Sequence, residues 1–122
     1  MVTVAADAAL FGKKFVIGMA HARALPGSPL YDSREGIKGI KEALRRDVLA
    51  LQEGGVDAIM FCNENDRPYR LQAGLETVAV MSALIADLAP ELAVPYGVDI
   101  LWDPMAAVAV AKATGATFVR EV

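Results

Sequence analysis

Strand-like and helix-like patterns of apolar residues alternate along this chain. Phe15-Val16-Ile17-Gly18-Met19-Ala20 is a short continuous apolar run, suited to a strand buried on both faces. It ends at His21, ahead of a loop rich in chain-turning residues, Pro26-Gly27-Ser28-Pro29. Ile37, Ile40, Leu44, Val48 and Leu51 then recur at the spacing that keeps them on one face of a helix. Lys41, Glu42, Arg45 and Arg46 fall away from that stripe, with Glu42 and Arg46 in the favourable i, i+4 order. Asp32 followed by Glu35 resembles a helix start, and Gly54-Gly55 is a stop.

The pattern then repeats. Val56-Asp57-Ala58-Ile59-Met60-Phe61 predicts a second strand, followed by the polar segment from Cys62 to Pro68. Val78, Met81, Ile85 and Leu88 share one face of a second helix, which Pro90 closes. A third strand is expected from Val94 to Leu101, with Pro95 tolerable only near its start. Asp103-Pro104 supplies an N-cap and a proline at the first helical position. An alanine-rich third helix ends at Gly115, and Thr117 to Val122 begins a fourth strand.

The predicted order is β-α-β-α-β-α-β, which implies a parallel sheet covered by helices. A doubly wound sheet and a (β/α)8 TIM-type barrel both fit. Neither GxGxxG nor GxxxxGK[ST] follows the first strand, so both nucleotide fingerprints are missing. Polar residues instead cluster after every strand, the end where barrels place their sites. These two features favour the α/β barrel. Such a barrel takes about 250 residues, so the 122 residues here are expected to form a single partial domain. The expectation is the first half of a barrel, with residues 1–13 as a lead-in segment. A half-barrel leaves open apolar edges. The reading therefore anticipates either a missing C-terminal half or assembly as a homo-oligomer.

Composition narrows the function classes. An apolar fraction of 55% with 22% charged residues describes a core-forming chain. A formal net charge of −3 argues against a nucleic-acid partner. The single cysteine, Cys62, excludes an intrachain disulfide and a multi-cysteine zinc cage. Met1 to Leu10 lacks the basic start of a signal peptide, and the most apolar stretch, Val78 to Leu88, is broken by Ser82 and Asp87. No membrane span of about 18 residues is available. These features together read as cytoplasmic.

The candidate chemistry lies at the predicted C-terminal strand ends. His21 is the one histidine, a general acid or base by its near-neutral reference pKa, or a loop hydrogen-bonding group. Glu64 and Asp66 suit a divalent cation, acid–base work or sugar hydroxyls, or else cap a helix and pair with Arg67. Asp99 is a carboxylate within an apolar strand and must find a partner if buried. Arg120 suits an anionic substrate group such as phosphate, or an internal ion pair with Asp99 or Glu64. The site expected from this geometry has His21, Glu64 and Asp99 as catalytic groups. Asn63, Asp66, Arg120 and Glu121 are its substrate-binding groups; the metal is unassigned. Asp103 is weighed as an N-cap, Cys62 as an inert buried thiol, and Trp102 and Tyr69 as packing.

Several strings, in order, resemble the BtpA/SgcQ family. They are Val16 to His21 with Leu25 to Pro29, Gly54 to Ala58, Asn63 to Tyr69, Gly97 to Pro104, and Ala113 to Arg120. The Cys62-Asn63-Glu64-Asn65-Asp66 wording is similar to the SgcQ-like branch more than to the photosystem-associated branch. The resemblance implies a barrel about twice this length. It also implies two functional associations: carbohydrate-metabolism gene clusters for one branch, and photosystem I biogenesis or stability for the other. On this wording the expected function is a metabolic enzyme acting on a small sugar-like or phosphorylated substrate. The alternative is a non-enzymatic biogenesis factor.

Overall fold

A computed structural model describes residues 12–121. The elements alternate as expected: β1 (Ile17–His21), α1 (Gly36–Glu53), β2 (Ala58–Cys62), α2 (Leu75–Leu88), β3 (Tyr96–Asp99), α3 (Pro104–Thr114) and β4 (Phe118–Val119). A short 3-10 turn, Ala89–Glu91, follows α2 around Pro90. Most of the expected lead-in, through Phe11, and the last residue of the expected fourth strand, Val122, lie outside the described residues.

The four strands form one sheet in the order β1-β2-β3-β4, every neighbouring pair parallel. Register gives the sheet two distinct faces. Ala20, Phe61 and Val98 pair in a row, and all three belong to the buried cluster shared with the helices. That cluster takes Ile40, Leu44 and Val48 from α1, Met81, Leu84, Ile85 and Leu88 from α2, and Ala107, Val110 and Ala111 from α3. All three helices thus contribute to the same cluster. Side chains alternate along a strand, so the intervening residues face the opposite way. Met19, Met60, Gly97 and Phe118 make one row on that second face. Gly97 is required there, because a Cβ would run into the Phe118 ring.

Local chemistry sets the element ends. Asp103 accepts from Ala106 N at 3.0 Å, Pro104 opens α3, and Gly115 closes it at φ 78°. The expected start of α1 differs. No side chain caps it, and Asp32 instead accepts from the Arg34 backbone N–H at 2.9 Å in the preceding turn. Ile37, assigned to the buried stripe, is exposed because it sits in the first turn of α1, and the buried face begins at Ile40. Strands β1 and β2 each start two residues later and end one residue later than the apolar patterns suggest, closing on His21 and Cys62. β3 is shorter than expected, because Ile100 and Leu101 already belong to the loop.

Phe61 is fully buried between β2 and the helices. Phe61→Ala is expected to cost about 3–5 kcal/mol, measured by urea unfolding of the complete gene product. A loss below about 1 kcal/mol would show that the helix-facing side is not the main core.

Candidate functional site

The parallel register carries chemistry at its last position. His21 pairs with Cys62, and Cys62 with Asp99. One step beyond the Val98–Val119 pair, Arg120 continues the row, and its backbone N–H donates to Val98 O at 3.1 Å. His21, Cys62, Asp99 and Arg120 therefore line up across the C-terminal ends of four adjacent strands. By alternation their side chains lie on the face away from the helices.

Asp99 is fully buried, and Arg120 holds it. Arg120 Nε lies 3.0 Å and Nη2 2.8 Å from Asp99 Oδ2. Asp99 Oδ1 is buried with no hydrogen-bond partner among the described residues. The guanidinium itself is half-exposed, so one side secures the acid while the other meets solvent. Of the two pairings open to Arg120 in the sequence, the structure uses Asp99.

Glu64 joins the row from the loop after β2. Ligand atoms of His21, Cys62 and Glu64 all lie within 4.8 Å of one another. Cys62 Sγ is 3.9 Å from Glu64 Oε2. Burial pushes the Cys62 thiol up to about 12, and the charges of Asp99 and Glu64 add to the effect. Tyr69 OH donates to the Glu64 backbone carbonyl at 2.7 Å and lies 3.2 Å from Oε1. Burial, and then the Glu64 charge, raise the Tyr69 hydroxyl above its ordinary value.

The remaining polar residues of that loop hold backbone. Asn63 Oδ1 accepts from Leu101 N at 2.9 Å, Asn65 Nδ2 donates to Ala22 O at 2.8 Å, and Asp66 Oδ1 accepts from Leu25 N at 2.9 Å. Thr77, in the first turn of α2, donates to Asp66 Oδ2 at 3.4 Å. Asn63 and Asp66 also line a cleft of about 130 Å³ with Ser28, Arg70, Glu76 and Thr77. They sit beside the row and not in it. Glu121 follows Arg120 at the sheet edge and is half-buried. Arg23 is drawn away to an ion pair with Glu35. Asp103 takes the structural role anticipated for it, and its Oδ2 accepts from Ala73 N at 2.8 Å. Trp102 and Tyr69 pack edge to face, ring centroids 5.5 Å apart. Trp102 holds φ 67°, a left-handed conformation unusual for a bulky residue.

Sequence reasoning set Cys62 aside as an inert thiol. Its partnership with His21 had one available signal. Each residue ends its strand at the same distance from the following polar loop, so parallel pairing brings them side by side.

Fold and site define a parallel α/β protein with a polar row across its C-terminal strand ends. The model of the BtpA family matches residues 12–122, and the chain belongs to that family. It is 46% identical over 110 residues to SgcQ of Escherichia coli (strain K12), covering 90% of this chain and 41% of SgcQ. An Archaeoglobus fulgidus protein is 38% identical over 109 residues, covering 88% of this chain and 43% of that one. The photosystem I biogenesis protein BtpA of Synechocystis sp. is 34% identical over 107 residues, with 86% and 37% covered. The chain spans about two fifths of the length of these curated relatives. No solved structure matches it.

Two stability predictions follow from these contacts. Arg120→Ala strands the buried Asp99 carboxylate and is expected to cost about 2–3 kcal/mol. Adding Asp99→Asn should recover part of that loss in urea unfolding; a double variant as unstable as the sum of both singles would refute the coupling. The second concerns Asp103, whose carboxyl is held below the ordinary range by the N–H groups of Ala106 and then Ala73. A depressed folded-state value gives stability that is present above about pH 4 and lost as pH falls through that lower value. Asp103→Ala should cost about 2 kcal/mol at neutral pH and flatten the acid limb of the stability curve. An unchanged limb would show that another group governs acid unfolding.

Proposed function

We propose that the complete protein is a cytosolic (β/α)-barrel enzyme acting on a small sugar-like or phosphorylated metabolite, and that this chain supplies its first four strands. The strand order supports the barrel. A dinucleotide-type doubly wound sheet reverses its order at a switch point, whereas β1 to β4 run in unbroken sequence. The helices also pack into one cluster, on one face of the sheet.

The observation that carries the enzyme reading is the row of His21, Cys62, Asp99 and Arg120 at the C-terminal strand ends. Barrels collect catalytic groups from the ends of several strands. In this reading His21 and Glu64 face the reacting part of the substrate at the strand ends. Asp99 orients Arg120, and the solvent side of the guanidinium receives an anionic group. Asn63, Asp66 and Glu121 shape the rim. The chain is 46% identical to SgcQ and 34% identical to the photosystem I biogenesis protein, which sets it nearer the branch not named for assembly.

A screen of sugar phosphates and related acids against the complete gene product, read by thermal shift, tests the reading. At least one ligand is expected to stabilise the protein, with the shift lost in His21→Ala and in Arg120→Ala. No ligand shift, together with specific capture of a protein partner that His21→Ala leaves intact, would replace the enzyme with the assembly factor.

A further inference from the structure

We infer that His21, Cys62 and Glu64 form a site for one zinc-class transition-metal ion at the mouth of the sheet. The inference rests on reading the strand-end row as a reaction site and names its cofactor. Three donors of different type converge there from two neighbouring strand ends and the loop after the second. Their ligand atoms all lie within 4.8 Å of one another. In a tetrahedral zinc site, bonds of about 2.0–2.3 Å place the ligands roughly 3.3–3.8 Å apart. The Cys62–Glu64 separation of 3.9 Å is already near that range. Closing the remainder takes about an ångström of side-chain movement, which the exposed His21 and half-buried Glu64 can supply.

Donor chemistry selects the ion. Thiolate with imidazole favours zinc and its neighbours over magnesium and calcium, which take oxygen donors. A buried thiol flanked by acids is a poor nucleophile alone. The same arrangement gains from a dication, which balances the carboxylate and displaces the thiol proton to solvent on binding. Three protein ligands leave a fourth tetrahedral position open, the pattern of catalytic zinc sites. A second observation points to the same place. Asp99, next to Cys62 in the row, keeps Oδ1 buried and without a partner among the described residues. That oxygen gives an acceptor for a ligand hydroxyl beside the ion.

The test is metal binding by the complete gene product, with no substrate required. After stripping with a chelator, the protein is titrated with zinc and, separately, with cobalt. One ion per chain is expected, with a thiolate-to-cobalt charge-transfer band and no competition from excess magnesium. Cys62→Ser should abolish the band, and His21→Gln and Glu64→Gln should each weaken zinc by at least about 10-fold, the lower bound for even indirect ligand contacts. His21 and Glu64 are not buried, so their variants serve if Cys62→Ser fails to fold. No bound ion, or binding unchanged in His21→Gln and Glu64→Gln, overturns the site. Zinc binding with no metabolite ligand would leave the metal site standing and sink the enzyme reading. A metabolite ligand with no zinc would do the reverse.

Discussion

Three side chains of the loop after β2 tie the strand ends together, and the site depends on them. Asn63 bonds Leu101 after β3, while Asn65 and Asp66 bond Ala22 and Leu25 after β1. The central loop is thereby fastened to both neighbours through backbone groups that would otherwise need partners. Each such bond is worth about 1 kcal/mol net. Their larger effect is geometric, because they leave Glu64 as the one acid of the segment turned toward His21 and Cys62. A polar string that resembles a set of catalytic groups is mostly a clamp on neighbouring backbone, with Glu64 left beside the strand-end row.

The parallel ladder does the complementary work within the sheet. Antiparallel pairing would send Cys62 to the other end of the sheet from His21 and Asp99, and a one-residue slip would turn neighbours to opposite faces. Parallel pairing in this register keeps them together, one layer above Met19, Met60, Gly97 and Phe118. The helix-facing residues between them, Ala20, Phe61 and Val98, anchor that register by packing.

Much of this was legible in the sequence. Element order, the Asp103-Pro104 helix start and the Gly115 stop all rest on local periodicity and capping, which one chain segment specifies alone. That His21, Glu64, Asp99 and Arg120 lie together at the strand ends was legible because strand ends are marked by a change from apolar to polar. The rest depended on pairing between distant segments. Nothing local in Asn63 or Asp66 says that its partner is a backbone N–H some forty positions away. Cys62 is the buried thiol the sequence suggested, but its place beside His21 comes from a strand 41 residues earlier in the chain. The Ile37 error is of another kind, since periodicity gives a helix face but not where along the helix burial begins.

The layering also explains why the strand-end row is better suited to binding than to holding the fold. Immediately below it the same face is apolar, and an apolar residue at position 99 would continue that packing. Asp99 instead brings a buried acid whose desolvation is repaid through Arg120 at one oxygen only. Replacing a buried ion pair by apolar residues is often neutral or stabilising, so folding alone gives little reason for this pair. Cys62 and Glu64 add a second acid and a thiol within reach of one another. Such a concentration of under-compensated groups is what active sites tolerate and cores avoid. The polarity boundary between these two layers, more than any single residue, is the physical basis for placing function at this end of the sheet.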